Sequence, residues 1–363
     1  MSVTNIANVC NALIVKLNPD TGSIPTSVVQ SAGFYSALNS PQNTQGYTAL
    51  KDQVRNELAT KDIPNDTFPK IVVTYEKPHC TDTSVDAPTS PCTYGSTTGA
   101  KYGSLDVKVE GYKEVEFTLT NAQFEQVCYG KDEFMAIEMR QKAYELLQDV
   151  NADLGVRVQS LMGNYTDGTS SLTSPRTLNI LNSSLAPNPM IFPLLRAEYN
   201  RMGKNKGIMK VGGEYLGLYN DALAISVANT YTGLDATKIP MLDYYYDTTI
   251  DALNPDGCTL LTWGAGAIQM LEAYRYEGTK SWIMDMSVRR TMAVDGFEFD
   301  YSMEFDPCTS GGKWVIKLSK SYDLFYVPEN DFTCTKGGGN FKLQYLLGCG
   351  AVSCNDLNFC PVS

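Results

Sequence analysis

NAQFEQVCYGKDEFMAIEMRQKAYELLQDVNADLGVRVQSLM, residues 121–162, is the stretch around which the rest of the chain arranges itself. Thr120 and Asn121 are suited to cap a helix, and Glu125, Asp132 and Glu133 favour its first turns. Phe134, Ile137, Tyr144, Leu147, Val150, Leu154, Val158 and Leu161 recur at helical spacing, which puts most of them on one face. Glu133, Glu138, Arg140, Gln141, Lys142 and Glu145 fill much of the rest. At the usual rise per residue such a helix spans roughly 60 Å. Gly130 and Gly155 each cost about 1 kcal/mol relative to alanine, so a break near either is expected.

The chain has 363 residues, more than one core usually organises, so two or three subdomains are expected. It is 43% apolar and carries a net charge of −11. A general nucleic-acid binder is normally basic, so sequence-specific binding is disfavoured. An acidic wall around nucleic acid would instead resist adhesion. The N-terminus does not read as a signal peptide, since Lys16 and polar residues interrupt its apolar positions. No run of about 20 apolar residues predicts a membrane span, and a soluble chain is expected.

The ten cysteines are too sparse for a small disulfide scaffold. They would be reduced in a cytosol. In a particle that leaves the cell, Cys80 with Cys92, and pairs among Cys334, Cys349, Cys354 and Cys360, are candidates for oxidation. The last four lack the close pairing typical of structural zinc sites.

Residues 1–69 read as an irregular arm that gains order by lying on something else, with a short helix possible over 48–59. A ragged N-terminal subdomain is the alternative. Ile71, Val73 and Tyr75 alternate with polar neighbours, giving a strand that stops before Pro78. A polar stretch follows over 80–101. Leu105, Val107, Val109, Val115, Phe117 and Leu119 then hold the odd positions of one long strand, with Gly111 a place for a bend or bulge. Two strands around a long polar loop suggest a projecting hairpin, which implies a partner surface. A bent sandwich strand is the plainer reading.

Residues 163–188 read as a polar linker. A helix is expected over 190–199, with Pro193 tolerable only in its first turn. Arg196, Arg201, Lys204, Lys206 and Lys210 form a basic patch suited to acidic neighbours in another subunit or to phosphate, or simply a solvated helix end. Residues 214–227 are partly helical, Asp243 to Asp247 an aromatic cluster, and 266–276 a further helix.

The last third changes period. Trp282, Met284, Met286 and Val288 alternate with polar residues, as do Phe297 to Phe305 and Trp314 to Leu318. Asp295-Gly296 and Gly311-Gly312 mark turns. This is an antiparallel meander with one apolar face, and the long helix is its natural cover. One more strand is expected over 341–347.

Signs of chemistry are few. His79 is the single histidine and sits beside Pro78, where an exposed loop position is expected. That rules out paired-histidine metal centres. No nucleophile elbow or phosphate loop occurs, and Gly337-Gly338-Gly339 lacks the lysine pattern. Glu298, Asp300, Glu304 and Asp306 sit where a glycosidase places two acids, but strand alternation requires polar residues on a wet face anyway. Asn65, Asn164 and Asn182 match the glycosylation pattern without a secretion signal. No catalytic, cofactor or metal residue is assigned.

Taken in order, arm, hairpin, long helix, mixed subdomain and meander resemble the major capsid proteins of tailed double-stranded DNA bacteriophages, the Hong Kong 97 (HK97)-like fold. IVVTYEKPHC and KYGSLDVKVEGYKEVEFTLT are similar to its extended loop, and FEQVCYGKDEFMAIEMRQKAYELLQDV to its spine helix. IPMLDYYYDTTI and CTLLTWGAGAIQMLEAY resemble other capsid segments. The MSVRRTMAVDGFEFDYSMEFDPCTSGGKWVIKLSKSYDLFYVP stretch resembles strands returning to the peripheral domain. The likeness covers roughly residues 50–330 and contains no diagnostic motif.

The resemblance implies an α+β chain with six regions. These are an N-terminal arm (1–69), an extended β-hairpin or E-loop (70–120), the spine helix and linker of a peripheral domain (121–188), a mainly axial domain (189–278), returning peripheral strands (279–330) and a Cys-rich end (331–363). It implies a non-enzymatic virion protein without cofactors, many copies of which form pentamers and hexamers of an icosahedral shell around double-stranded DNA, away from membranes and assembled in the host bacterial cytoplasm. Portal and possible decoration or cement proteins are implied partners. No long charged coiled segment precedes residue 50, so a separate scaffolding protein is expected unless a segment has been removed. Some members join subunits through a lysine–asparagine bond; Lys101 lies near the hairpin, without identifiable partners. A β-rich tail or adhesion component and a carboxylate-dependent hydrolase are the other classes.

Overall fold

The computed structural model describes residues 32–44, 51–52, 55–57, 68, 70–77, 101–120, 131–166, 171–180, 188, 191–202, 207–214, 216–217, 219–221, 243–253, 259–277, 282–284, 287–294, 296–308, 312–326 and 341–348. The long helix, here α3, runs Lys131–Ser160. Its apolar stripe is as read: Leu147, Val150, Leu154 and Val158 are buried, with Ala143 and Leu146 beside them. Residues 121–130, where the cap and the break at Gly130 are expected, lie outside the described set.

Gly155 does not break α3. A short helix, α1 (Gly33–Asn39), crosses the long one there, and a Cβ on Gly155 would lie 2.8 Å from the Phe34 ring. The glycine is a point of close approach, so its propensity cost is offset by packing. α1 and α2 (Pro41–Thr44) are helical pieces within the stretch 1–69, most of which lies outside the described residues. Phe34, Ala37, Leu38 and Asn43 are all fully buried, so this part of the arm belongs to the chain's own core.

α3 and α1 cover one face of a six-stranded sheet. Its strands are β3 (Gly111–Thr120), β10 (Ile268–Ala273), β11 (Trp282–Met284), β12 (Ser287–Val294), β13 (Phe297–Asp306) and β14 (Lys313–Tyr326). β14 carries β3 along one edge; along the other it pairs first with β13 and then, beyond Ser319, with β10. Val115 and Leu119, Phe297, Phe299 and Tyr301, and Ile316, Leu318 and Tyr322 share one core with the helix stripe. Each such side chain contributes about 1.5–3 kcal/mol through burial.

Three strand readings change. The single strand expected over 105–119 is two strands in different sheets, with strand pairing interrupted at 108–110. Gly111 opens the second strand, and a Cβ there would approach the Tyr322 carbonyl oxygen at 2.5 Å. Within 266–276 the chain forms the strand β10 (Ile268–Ala273), not a helix. Gln269, Met270, Leu271 and Ala273 are buried on both faces, so the strand shows no period-two pattern and its helix-favouring residues mislead. The run from Trp282 to Val288 is not one strand: β11 folds back on β12, pairing Met284 with Ser287. Where the Asp295-Gly296 turn is expected, Val294 pairs opposite Phe297 and Gly296 has φ +85°; Asp295 lies outside the described residues.

A second, five-stranded sheet runs β6 (Arg176–Asn179), β15 (Lys342–Gly348), β9 (Thr259–Gly264), β7 (Ile208–Gly212) and β8 (Tyr245–Tyr246). The strand expected near 341–347 is therefore an internal strand, between β6 and β9. Helix α4 (Ile191–Arg201) packs on one face through Ile191, Leu195 and Tyr199, with Pro193 in its first turn. The other face joins the first core: Leu260 points to the α4 side, Leu261 and Trp263 to the α3 side. This explains why every residue of β9 is buried.

Candidate functional site

Of the strands outside the two large sheets, β4 (Tyr165–Thr166) and β5 (Ser171–Leu172) make a short pair within the expected linker, and β1 (Ile71–Lys77) and β2 (Lys101–Val107) form the expected hairpin. Seven residue pairs link them, from Ile71–Val107 to Lys77–Lys101, and they pair with no other strand among the described residues. Val72 is 61% exposed. A two-stranded ribbon of this kind is marginal in water without a surface to lie on.

Its root is clamped. Ile71, Val107 and Val109 are buried, and Lys70 pairs with Asp106. The Arg275 guanidinium lies 4.6 Å from the Tyr112 ring centre and 5.9 Å from that of Phe68, so one cation touches the chain before β1 and after β2. Asp323 of β14 accepts a hydrogen bond from the Glu110 N–H (3.2 Å) and pairs with Arg157 of α3 (3.3 Å). Arg157 also holds Asp153 (2.6 Å), which accepts the Tyr322 hydroxyl proton (2.7 Å). Burial pushes the Asp323 carboxyl up, while its backbone donors and Arg157 pull it back.

A second polar junction is buried under α1. Lys320 lies on the core-facing side of β14 and is 0% exposed. Its ammonium meets Glu272 (2.7 Å), the Tyr274 hydroxyl (2.8 Å) and the Glu298 carbonyl oxygen (2.7 Å), using all three donors. Burial pushes the Glu272 carboxyl up, but Lys320, Lys51 and the Tyr274 hydroxyl outweigh it and hold it below the ordinary range. Arg55 ties the 55–57 segment to this region through Glu277 (2.7 Å) and Glu298 (2.9 Å).

A third junction fixes the start of α1, whose first N–H groups have no partner within the helix. Phe34 N–H donates to Asp247 (3.1 Å) and Tyr35 N–H to Asn151 (3.1 Å). Asn43, also fully buried, uses its whole amide. It donates to the Leu38 and Ile268 carbonyls (both 3.0 Å) and accepts from the Trp263 indole (3.3 Å) and Gly266 N–H (3.1 Å).

The four carboxylates considered for acid–base chemistry are each engaged elsewhere. Asp300 is buried, correcting the expected wet face; it accepts from Arg275 N–H (2.6 Å), Tyr276 N–H (3.3 Å) and the Thr291 hydroxyl (3.1 Å). Burial pushes its carboxyl up. Glu298 pairs with Arg55, Glu304 with Arg289, and Asp306 accepts the Cys308 N–H (2.9 Å). A cavity of about 390 Å³ beside Glu298 is lined by Arg55, Tyr276, Glu277, Arg290 and Met292. Among the described residues, no group of three or more His, Cys, Asp or Glu is placed to hold a metal ion.

In the basic patch, Arg196 and Arg201 are exposed on α4, whereas Lys210 donates to the Asp243 carbonyl oxygen (2.9 Å). The pairing of Lys101 with Lys77 puts it at the end of the hairpin away from the root. Lys204, Lys206, His79 and every cysteine except the exposed Cys308 lie outside the described residues. Sequence reasoning missed Lys320 and Asn151. Both were visible as polar residues in an apolar register, Lys320 between Leu318 and Tyr322, and Asn151 between Leu147 and Leu154.

No family model and no curated protein matches the chain. Among solved structures it is similar to one described as Mycobacterium phage Che8, with 11% identity, 88% of this chain and 92% of that chain covered, and a TM-score of 0.42. The capsid of cyanophage P-SCSP1u is similar at 8% identity, over 77% and 83% of the two chains, with a TM-score of 0.42. The cyanophage Pam1 capsid is similar at 9% identity, over 82% and 88%, with a TM-score of 0.41.

Proposed function

We propose that the chain is a shell-forming subunit, the major capsid protein of a tailed-phage type of virion. The observation that carries this reading is the β1–β2 hairpin. It is rooted by Arg275 and Asp323, pairs with no other strand of its own chain among the described residues, and leaves Val72 exposed. A rigid root and an unsupported ribbon suit an arm that lies across a neighbouring copy. In this reading β1–β2 is the extended loop, α3 the spine, the six-stranded sheet the peripheral domain and the five-stranded lobe the axial domain.

Many copies would then close into pentamers and hexamers around double-stranded DNA, with an acidic chain keeping the packed DNA from adhering. Scaffolding, portal and decoration proteins would be its partners, and the virion its location. The test is size-exclusion chromatography followed by negative-stain microscopy of the full chain. Rings of five or six, or closed shells, are expected, together with their loss when residues 73–105 are replaced by a short turn. A monomer whose hairpin is protected from protease overturns the reading, because the ribbon would then be packed within one chain.

A further inference from the structure

We propose that a cavity of about 350 Å³ between α1, α3, β8 and the β12–β13 turn is a binding site for a small neutral aromatic molecule that carries one oxygen acceptor. Its walls come from both large sheets. Tyr245 belongs to β8 of the five-stranded lobe, and Val294, Gly296 and Phe297 frame a turn of the six-stranded sheet. Leu147 of α3 adds to the wall, and α1 with its exit into α2 supplies the rest, from Tyr35 to Pro41. The volume lies in the range of small-molecule sites. Ser40, Leu147 and Phe297 are buried, whereas Pro41 and Gly296 are exposed, so the cavity has a closed inner end and an open mouth. A Cβ on Gly296 would meet nothing within 4 Å, so space is open beside the turn.

The lining selects for a ring and against charge. Tyr35, Tyr245 and Phe297 contribute aromatic rings, and Tyr35 is held edge-on to Phe297 with the centroids 5.4 Å apart. A wall fixed in this way suits a flat, rigid ligand, which loses little freedom on binding. None of the described residues that line the cavity is charged. Lys51 and Glu272 reach it only through lining residues: Lys51 donates to the Asn39 amide oxygen (3.3 Å), and Glu272 accepts the Tyr35 hydroxyl proton (3.4 Å). An ion in the cavity would lose hydration without gaining a partner of opposite charge.

Two polar groups remain to orient such a ligand. The Asn39 amide has two N–H donors and directs one, weakly, at the Met270 sulfur (3.7 Å). The half-buried Tyr245 hydroxyl has no hydrogen-bond partner among the described residues. Both groups can donate, so the ligand group that fits them is an oxygen acceptor, as in an aryl ketone. Ser40 and Tyr35 are already committed, Ser40 to the Ala37 carbonyl oxygen (2.9 Å) and Tyr35 to Glu272. A molecule bound here touches α1, α3 and both large sheets at once, and so ties the N-terminal helix to the body. The site belongs to the single chain and does not depend on the shell reading.

The test is equilibrium dialysis of the full chain against 2-acetylnaphthalene, naphthalene and 2-naphthoate, probes of one ring shape that differ in acceptor and charge. The wild type should bind about one 2-acetylnaphthalene per chain, saturably, and about tenfold or more tightly than the 2-naphthoate anion. Tyr245→Phe should weaken 2-acetylnaphthalene binding by about three- to tenfold and leave naphthalene binding unchanged. Val294→Trp, checked for folding by circular dichroism, should fill the cavity and abolish binding of both neutral probes. Absence of saturable binding by the wild type, equal binding of the anion, or a folded Val294→Trp chain that binds like wild type overturns the site. If Val294→Trp does not fold, Tyr245→Phe decides alone, and equal effects on the two neutral probes overturn the assignment. Release of the probe when copies associate would give the cavity to a side chain of a neighbouring copy and overturn the small-molecule reading. The shell reading is judged by assembly and survives each of these results.

Discussion

The Asn151 amide donates to the Asp247 carboxylate at 2.8 Å, and together these two residues receive the Phe34 and Tyr35 N–H groups in the first turn of α1. Three parts of the chain meet there: an N-terminal helix, the middle of the long helix, and the segment after β8. Asp247 also accepts from the Thr249 N–H (2.8 Å) and hydroxyl (2.5 Å). Asn151→Ala should destabilise the fold by about 2–4 kcal/mol, since it leaves a buried carboxylate and a buried N–H short of a partner. Asp247→Ala should cost at least as much. Denaturant unfolding gives both values, and a loss below 1 kcal/mol would show that α1 does not depend on this junction.

Lys320 and Glu272 should behave as a coupled pair. Removing one partner, as in Lys320→Met, leaves the other charge buried and should cost about 3–5 kcal/mol. Replacing both with apolar residues should cost less than the sum. A double-mutant cycle measures the difference, and additive effects would disprove the coupling.

The same pair sets an acid limit. The Glu272 carboxyl is lowered from 4.5 in the folded chain. Its contribution is therefore complete above 4.5 and is lost as pH falls through the folded value. Glu272→Gln should be less stable at neutral pH and should lose less on further acidification. Asp300 runs the other way: raised above 3.8 by burial, it favours the folded state more as pH falls into that range. Unfolding midpoints across an acid pH series check the slopes, and parallel slopes for Glu272→Gln and wild type would reject the assignment.

Gly155→Ala should destabilise α3 despite alanine's better helix propensity. The added Cβ meets the Phe34 ring, and overpacking costs about 1–3 kcal/mol against a propensity gain of about 1 kcal/mol. In a Phe34→Ala background the penalty should vanish or change sign. Equal effects of Gly155→Ala in both backgrounds would exclude this contact as the cause.

Arg275→Ala should loosen the hairpin root without unfolding the body. Losing the ring contacts at Tyr112 and Phe68 should cost about 1 kcal/mol locally. Hydrogen exchange should therefore speed up at β1 and β2 amides while those of β13 and β14 keep their protection. Uniform acceleration across both sheets would show that Arg275 supports the whole fold and not the hairpin.

The hairpin was legible from the period-two alternation of its sequence, and the apolar stripe of α3 and most of the β13–β14 pair because each has a buried and a more exposed face. Where both faces are buried that signal disappears. β10 reads as a helix for this reason, and β9 gives no sign that Leu260 and Leu261 face different cores. Of the junctions that make up the candidate site, the acidic residues on β13 were noticed, but Lys320, Asn151, Asp247 and Asn43 were not. Lys320 and Asn151 stand out locally as polar residues in an apolar register, but the partners of these residues lie about 50 to more than 200 residues away in sequence, so no local pattern says what each one meets.

Local periodicity thus sufficed for the apolar stripe of the long helix, most of the meander strands and the two strands of the ribbon, because those patterns are written locally in the sequence; it placed the helix over 121–162, whereas the described helix runs Lys131–Ser160, and it read β10 as a helix. It could not tell that residues 33–44 are part of the core, that β15 inserts between β6 and β9, or that Gly155 marks a crossing. Those features depend on which distant surfaces come together. Non-local packing settles them, since a buried amide or ammonium is stable only where the folded chain brings its partners within reach.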